Sequence, residues 1–403
     1  MFETMKECFD WLYEPREFNK KFDLSRMQKA MDIFNNPIDY KCIHVAGTNG
    51  KGSTVSYLKS SLITAGYNVG TFISPFVVVF NERITFNNQY ITDDEFIKYI
   101  NHVRINLTIS KLEISFFEIL TIISFLYFQD KEVDYAIIET GVGGRLDSTN
   151  VINKEVALIT NVGLDHTDIL GDTLKKIAHE KLGIVTNALI TSVQPELRDQ
   201  FVKYTKVRNA EIIFTQAIDN LILSLTNTKF KYKGLDIEIS MLGEHQSKNA
   251  SLAIEALLYL REKKGLKITD EQILKGLKRA FWPGRLEKID DFVYVDGAHN
   301  VAGIQSLVNF FKNIDQKITV VFSCLTDKPK KEMLELLEPN VDEIYFTEFN
   351  YHRCEKAEHL YEISNHSNKH LIKNHDEIFN YLKKDNFTIF CGSLYFISLI
   401  RRK

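Results

Sequence analysis

The chain has 403 residues, enough for two or three domains at roughly 100–200 residues each. Hydrophobic residues make up 44% and charged residues 26%, an ordinary soluble globular composition. A formal net charge of −3 removes any electrostatic case for nucleic acid as the main partner.

The N-terminal "MFETMKECFDWLYEP" carries acids and aromatics early, so it does not look like a signal peptide. Apolar runs then alternate with helical patterns. Strands are predicted at 41–46, 69–73, 134–139, 156–161, 188–193 and 211–214, with helices at 52–66 and 114–129 between them. The longest apolar run, "ISFFEILTIISFLYF" at 114–128, is too short to span a bilayer and contains Glu118, so it reads as a buried helix. Residues 228–242, "TKFKYKGLDIEISML", alternate around a Lys-Gly turn as an antiparallel hairpin does, and "HQSKNASLAIEALLYLREKKG" follows as an amphipathic helix. Another helix is predicted at 269–281. "WPGRLEKIDD" at 282–291 reads as an exposed joint, because Pro283 and Gly284 break regular structure. Strand–helix alternation restarts after it. The basic end, Arg401, Arg402 and Lys403, reads as a solvated tail. The fold class is therefore α/β: a first domain over 1–285, with a mostly parallel sheet plus a small antiparallel one, then a smaller Rossmann-like α/β domain over 286–403. Cys8, Cys42, Cys324, Cys354 and Cys391 are scattered with no CxxC pair, which argues against a disulfide frame or a zinc site and for the cytoplasm.

The chemistry starts at "KCIHVAGTNGKGSTVSYL", 41–58, a strand that opens a helix through a glycine-rich loop. Gly47, Gly50 and Gly52 let backbone N–H groups approach an anion, and the helix start offers its positive end to phosphate. Lys51 can reach the β and γ oxygens, and Ser53 and Thr54 can give a hydroxyl to phosphate or magnesium. The spacing "GTNGKGS" differs from G-x-x-x-x-G-K-[ST], with three residues between the first Gly and the Lys and a Gly after the Lys. It resembles the ATP-dependent amide ligases of the Mur ligase superfamily. Gly52 resembles the folylpolyglutamate synthase and dihydrofolate synthase branch, since murein ligases usually have a hydroxyl residue there.

Other stretches carry the same resemblance, from "LSRMQKAMDIFNNP" at 24–37 to Arg401. "ETGVGGRLDSTN" is similar to the family's "ETGLGGRxDxTN", and Glu139 ends a strand where a carboxylate can hold magnesium. "NVGLDHTDILGDTLKKIAHEKLGI" resembles a long family motif that implies His166 as a metal ligand and Lys181 as a carbamylated lysine bridging metal. "SPFVVVFNERI" implies Ser74 as a further ligand and Asn81, Glu82 and Arg83 as the loop capping the active site; Phe76 departs from the family's histidine or tyrosine. His245 and Asn249 share a helix face, and the resemblance places Asn249 on the nucleotide. "WPGRLE" implies Arg285 on ATP phosphate, an arginine that domain closure would bring to the reaction. In the second domain, "VDGAHN" implies Asp296 on ATP and His299 near the incoming amino acid. "GSLY" implies Ser393 on glutamate, a residue that a helix N-cap would also explain. "DKP" at 327–329 and Arg353 match the family only partly.

The resemblance implies ATP, with Gly47, Thr48, Asn49, Gly50, Lys51, Gly52 and Ser53 cradling its phosphates, and Mg2+, with K+ as a further cation. Lys51, Lys181 and His299 are the catalytic expectations. It implies glutamate ligation to a folate, and to dihydropteroate, through an acyl phosphate; Ser115, Phe117, Arg145, Leu146 and Asp147 would bind the pterin substrate. Nucleic acid and membrane partners are not expected, and the chain is expected to act as a monomer. Two other readings are open. A murein peptide ligase is opposed by Gly52, by "WPGRLE" and by the lack of an N-terminal UDP-binding domain before residue 41. A P-loop regulatory ATPase is opposed by the absence of an NKxD motif and by "DGAHN" and "GSLY", which a switch would not need.

Overall fold

The computed structural model describes residues 1–14 and 23–401. Contacts divide them into two compact units, the first formed by 1–217 and 248–280, the second by 218–247 and 281 onward.

The first unit begins with α1 (Met5–Leu12) and α2 (Ser25–Ile33). Strand β1 (Lys41–Ala46) runs into α3 (Lys51–Thr64) and then β2 (Val69–Phe72). A short hairpin, β3 (Ile84–Phe86) and β4 (Gln89–Tyr90), precedes α4 (Asp93–Ser110) and α5 (Phe116–Asp130). Next come β5 (Tyr135–Glu139), β6 (Val156–Ile159), α6 (Thr167–Leu170), α7 (Leu174–Leu182), β7 (Ala188–Thr191), α8 (Arg198–Val207) and β8 (Glu211–Phe214).

The eight strands form one sheet in the order β4-β3-β2-β5-β1-β6-β7-β8. From β2 to β8 all neighbours pair in parallel, and β3 and β4 add an antiparallel edge. Strands β2, β5, β6 and β7 are buried along their whole length. A parallel sheet covered on both faces needs such continuous apolar runs, which is why the sequence showed them. The register sets Val45 opposite Glu139, Ala46 opposite Ile159 and Phe72 opposite Ile138. The loops after β1, β2, β5 and β6 therefore leave the sheet along one carboxyl edge, where open α/β sheets bind ligands.

Helix α5 is the buried helix expected from its apolar run: Ile119, Leu120, Ile122, Ile123, Phe125 and Phe128 are fully buried. Its Glu118 is used locally, closing a capping box with Ser115. Among the described residues no helix is long and apolar enough to cross a membrane.

After β8 in chain order come β9 (Asp219–Leu223), β10 (Thr228–Tyr232) and β11 (Leu235–Ile239), then α9 (Glu244–Lys264) and α10 (Asp270–Arg279). Helix α10 packs closely on α3. The Ser60 hydroxyl donates to the Gly276 carbonyl at 2.7 Å, and a Cβ on Gly276 would sit 2.7 Å from the Ser61 backbone nitrogen. Gly276→Val is therefore expected to destabilise the protein by about 3 kcal/mol through overpacking, read as a lower urea midpoint at unchanged slope.

Strands β9–β11 form a separate antiparallel sheet, with β10 and β11 as the predicted hairpin. It was placed before residue 285 with the first domain, but it groups with the second unit. The reason is apolar: Leu225 and Leu242 beside this sheet join the core of Leu286, Tyr294 and Leu307.

The second unit continues with β12 (Glu287–Asp290), β13 (Val293–Val295), α11 (Val301–Phe311), β14 (Ile318–Phe322), α12 (Lys330–Leu337), β15 (Glu343–Glu348), α13 (Ala357–Ile363), β16 (Lys369–Asn374), β17 (Phe387–Cys391) and α14 (Leu394–Ile400). Its sheet runs β12-β13-β17-β14-β15-β16, parallel except for β12. Two expectations change here. The stretch read as an exposed joint becomes strand β12 from Glu287, and Leu286 before it is only 1% exposed. Arg401 is not a solvated side chain: its Nε lies 2.7 Å from the Glu287 carboxylate. Arg402 and Lys403 lie outside the described residues.

Candidate active site

The glycine-rich loop sits between β1 and α3 and is fastened to the loop after β6. The Thr48 N–H donates to the Asn161 carbonyl at 3.1 Å, and the Asn49 N–H donates to the Asn161 side chain at 3.0 Å. The Thr160 hydroxyl donates to the Asn49 carbonyl at 2.6 Å, and the Gly163 N–H donates to the Thr48 hydroxyl at 2.8 Å. Gly50 is the N-cap of α3 with φ of 84°, and a Cβ there would collide with the buried Asn249 side chain. The loop and Asn249, both expected at the nucleotide, thus stand against each other. Gly50 has no side chain of its own to cap the start of α3, an arrangement suited to an anion. The Lys51 amine donates to the Gly47 and Thr48 carbonyls at 3.2 and 3.4 Å and lies 3.8 Å from the Glu139 carboxylate. Thr160 and Asn161 were read only as the end of a strand, yet they shape this loop. Nothing local in the sequence marks that cross-strand role.

Glu139 ends β5 and is 4% exposed. Ser74 follows β2, and its hydroxyl accepts from Arg83 at 3.2 Å. The Arg83 guanidinium lies 5.2 Å from the Phe76 ring centre, so the aromatic residue that departs from the family pattern makes a cation–π contact. Glu82 accepts from the N–H groups of Val77, Val78 and Val79, and Asn81 donates to the Ile91 carbonyl. Those two expected capping residues build their own loop. His166 is exposed, in a left-handed backbone conformation with φ of 50°.

Lys181, on the last turn of α7, is 3% exposed. Burial, reinforced by the Lys51 charge, pulls its amine down to about 7, opposed by Asp165 and Asp147. The α7 end is pressed on the loop after β5: the Arg145 N–H donates to the Glu180 carbonyl at 2.7 Å, and a Cβ on Gly144 would meet the Glu180 and Lys181 carbonyl oxygens at 3.0 Å.

Ser74, Glu139, His166 and a carbamate on Lys181 would present mostly hard oxygen donors, a set that fits magnesium. Ser74 and Glu139 lie at the same carboxyl edge of the sheet. Among the described residues no group of three or more His, Cys, Asp or Glu side chains is arranged to hold a metal ion.

All five residues expected at the pterin line one cavity of about 740 Å3, together with Ser74. The Phe117 ring stacks on Phe72 at 5.5 Å and covers Gly141, where a Cβ would lie 2.7 Å from the ring. Ser115 is the N-cap of α5, its hydroxyl accepting from the Glu118 N–H at 3.3 Å. Leu146 lines the wall, and the Arg145 guanidinium pairs with Glu180 at 2.9 Å. Asp147 is the fastening of the loop. It accepts from the Val142 N–H at 2.9 Å, from the Thr149 N–H at 3.1 Å and from the Thr149 hydroxyl at 2.5 Å. His44 on β1 stands 2.8 Å from that hydroxyl. Burial raises the Asp147 carboxyl, and these bonds oppose the rise. Asp23, Arg26 and Glu180 also line the cavity and were missed by sequence reasoning. Arg26 lies 3.4 Å from Glu118, a tertiary pairing with no signal in local spacing.

In the second unit, "WPGRLE", "DGAHN" and "GSLY" converge. The Asp296 carboxylate accepts from the Leu286 N–H at 2.8 Å and from the Ala298 N–H at 2.7 Å. Burial raises its carboxyl, opposed by the Arg285 charge. The Arg285 side chain crosses Gly297, where a Cβ would lie 2.7 Å from its Nη1. The His299 Nδ1 is 2.7 Å from the Gly297 carbonyl. Ser393 is 2% exposed and caps α14, accepting from the Tyr395 N–H.

Comparison with known proteins also finds two parts, although the first match runs through residues 218–247, which group with the second unit. Residues 45–257 match the Mur ligase middle domain, and residues 284–394 match the Mur ligase glutamate ligase domain. The chain is 37% identical over 429 residues to the dihydrofolate synthase/folylpolyglutamate synthase of Bacillus subtilis, covering 100% of both. The Mycobacterium tuberculosis folylpolyglutamate synthase complexed with ADP and AMPPCP superimposes with a TM-score of 0.89 at 25% identity, covering 98% of this chain and 97% of that one. Escherichia coli FolC in complex with DHPP and ADP gives 0.87 at 25% identity, covering 99% and 97%. The chain belongs to the Mur ligase superfamily and, within it, to the folylpolyglutamate synthase and dihydrofolate synthase family.

Proposed function

We infer that this protein is an ATP-dependent ligase that joins L-glutamate to a folate, and also to 7,8-dihydropteroate, through an acyl phosphate. The observation that carries this reading is the single carboxyl edge on which the "GTNGKGS" loop, Glu139 and the residues of the 740 Å3 cavity stand. The relative from Bacillus subtilis is named for both activities, and the Escherichia coli neighbour binds DHPP and ADP.

A carboxylate is a poor acyl donor to an amine. In the first step its oxygen attacks the γ-phosphorus of ATP, and ADP leaves. Lys51, the N–H groups at the start of α3 and Asn249 hold and neutralise the phosphates, so that two anions can meet. Ser74, Glu139, His166 and carbamylated Lys181 would hold Mg2+, which supplies further neutralisation of phosphate charge when bound. A buried amine near 7 is in part neutral, the form that adds carbon dioxide. Phe117, Leu146 and Asp147 place the pterin substrate so that its carboxylate faces the phosphate. In the second step the glutamate amine attacks the acyl carbon, and phosphate leaves. His299 and Ser393 are the proposed glutamate residues, Ser393 by setting the start of α14, while Arg285 and Asp296 are proposed for ATP. Residues 1–285 thus supply the phosphate loop and the pterin functions, and 286–403 the glutamate ligase function together with Asp296 for ATP. The five free cysteines and the small-molecule substrates support a cytoplasmic enzyme, and the reading takes it to act as a monomer.

Mass analysis of products from dihydropteroate and from tetrahydrofolate, each with ATP and glutamate, tests this. The expected result is one added glutamate on dihydropteroate and a glutamate tail on the folate. Turnover of UDP-muramoyl substrates with neither pterin product would overturn it.

A further inference from the structure

A second cavity, of about 540 Å3, opens at the opposite end of the first sheet. Lys41 opens β1, and residues 154–155 and 186–187 lead into β6 and β7, so the cavity lies at the amino ends of strands whose carboxyl ends carry the active site. Three lysines and one glutamate line it: Lys41, Lys154, Lys264 and Glu155. Lys264 pairs with Glu155 at 3.2 Å. That leaves two lysine charges facing a recess whose floor includes the apolar Met31 and Val151.

Lys154 is the unusual member. It is 7% exposed, and among the described residues no carboxylate pairs with it. Its amine donates to the neutral side-chain oxygen of Asn150 at 2.7 Å. Burial brings the amine down to about 8. A desolvated cation with a neutral partner leaves electrostatic energy for an incoming anion to recover.

The same Asn150 reaches the active-site side. Its amide nitrogen donates to the Arg145 carbonyl at 3.2 Å and to the Gly183 carbonyl at 3.1 Å. Arg145 lines the 740 Å3 cavity, and Gly183 ends the helix that carries Lys181. One side chain therefore joins the buried lysine to two segments of the active site.

We propose that this second cavity binds a small phosphate-bearing anion, and that Asn150 transmits its occupancy to the Arg145 loop and the end of α7. Lysines and amides supply the donors for phosphate oxygens, and the apolar floor suits a short carbon skeleton. An anion that draws the Lys154 amine towards itself weakens its bond to Asn150, and the two carbonyls held by Asn150 gain freedom. The site is independent of the ligase reading, because the binding and uptake measurements that test it involve no turnover.

Calorimetric titration with inorganic phosphate and with glycerol 3-phosphate, on the full chain with AMPPCP present to fill the nucleotide loop, tests the site. Saturable one-to-one binding is expected, weakened about tenfold in Lys154→Met and in Lys264→Ala. Tighter binding of glycerol 3-phosphate than of phosphate supports an organic ligand, and equal binding supports recognition of the phosphate group alone. Lys154→Met exchanges a desolvated charge for an apolar chain of similar length, and Lys264 is partly exposed, so between them a folded variant is available. No saturable binding, or binding unchanged in both variants, overturns the site. Deuterium uptake in peptides covering 145–150 and 181–185 is expected to rise on glycerol 3-phosphate binding in the wild type and not in Lys154→Met. Identical uptake with and without ligand overturns the transmission through Asn150.

Discussion

Lys51→Ala is expected to lower glutamate-dependent ATP turnover by roughly 10²–10³-fold or more, read as phosphate release under saturating substrates. The Lys51 amine stands over the loop, bonded to two of its carbonyls and 3.8 Å from Glu139. Those contacts hold it where phosphate oxygens would arrive. Its bonds go to carbonyls of its own loop, so removing it leaves the sheet and α3 in place, and the unfolding midpoint should move by only a few degrees. Lys51→Arg separates charge from shape: a planar guanidinium keeps the charge but cannot enter the space of an ammonium, so it should rescue little. Wild-type turnover in either variant would remove the phosphate-holding role.

Asp147→Ala is expected to cost both stability and pterin affinity. The carboxylate satisfies two backbone N–H groups and one hydroxyl of its own loop. Leaving the Val142 and Thr149 N–H groups without an acceptor costs about 3 kcal/mol, partly offset by removal of a buried charge. The KM for the pterin substrate should rise more than kcat falls, because Arg145, Leu146 and the Gly141–Phe117 wall lose their frame while Lys51 and Glu139 do not. Asp147→Asn keeps one acceptor oxygen and should fall between the two. A variant with unchanged urea midpoint and raised KM would show Asp147 to be a substrate contact and not a fastening.

The parallel sheet was legible because its strands are buried on both faces, which leaves unbroken apolar runs such as "DYAIIE". The phosphate loop was legible because backbone chemistry alone demands glycines there. What escaped detection was short or half-buried. Strand β3 is only three residues long, β4 and β9 expose much of their length, and β9 shows no clean alternation. Strand β12 was hidden behind Pro283 and Gly284, whose breaking signal is real but ends at Leu286. In the site, the five pterin residues were legible by motif and do share one cavity. Arg26 and Glu180 were not, because the partners that bring them there lie far away in sequence.

The fastening of the loop at 47–50 to residues 160–163 bears on how the nucleotide arrives. Bonds from Thr48, Asn49, Thr160 and Gly163 already set the loop's shape in the protein alone. Little conformational freedom remains there for ATP to remove, so more of the contact energy appears as affinity. Association with the nucleotide should then be limited by diffusion and charge, with no slow rearrangement phase in stopped-flow traces.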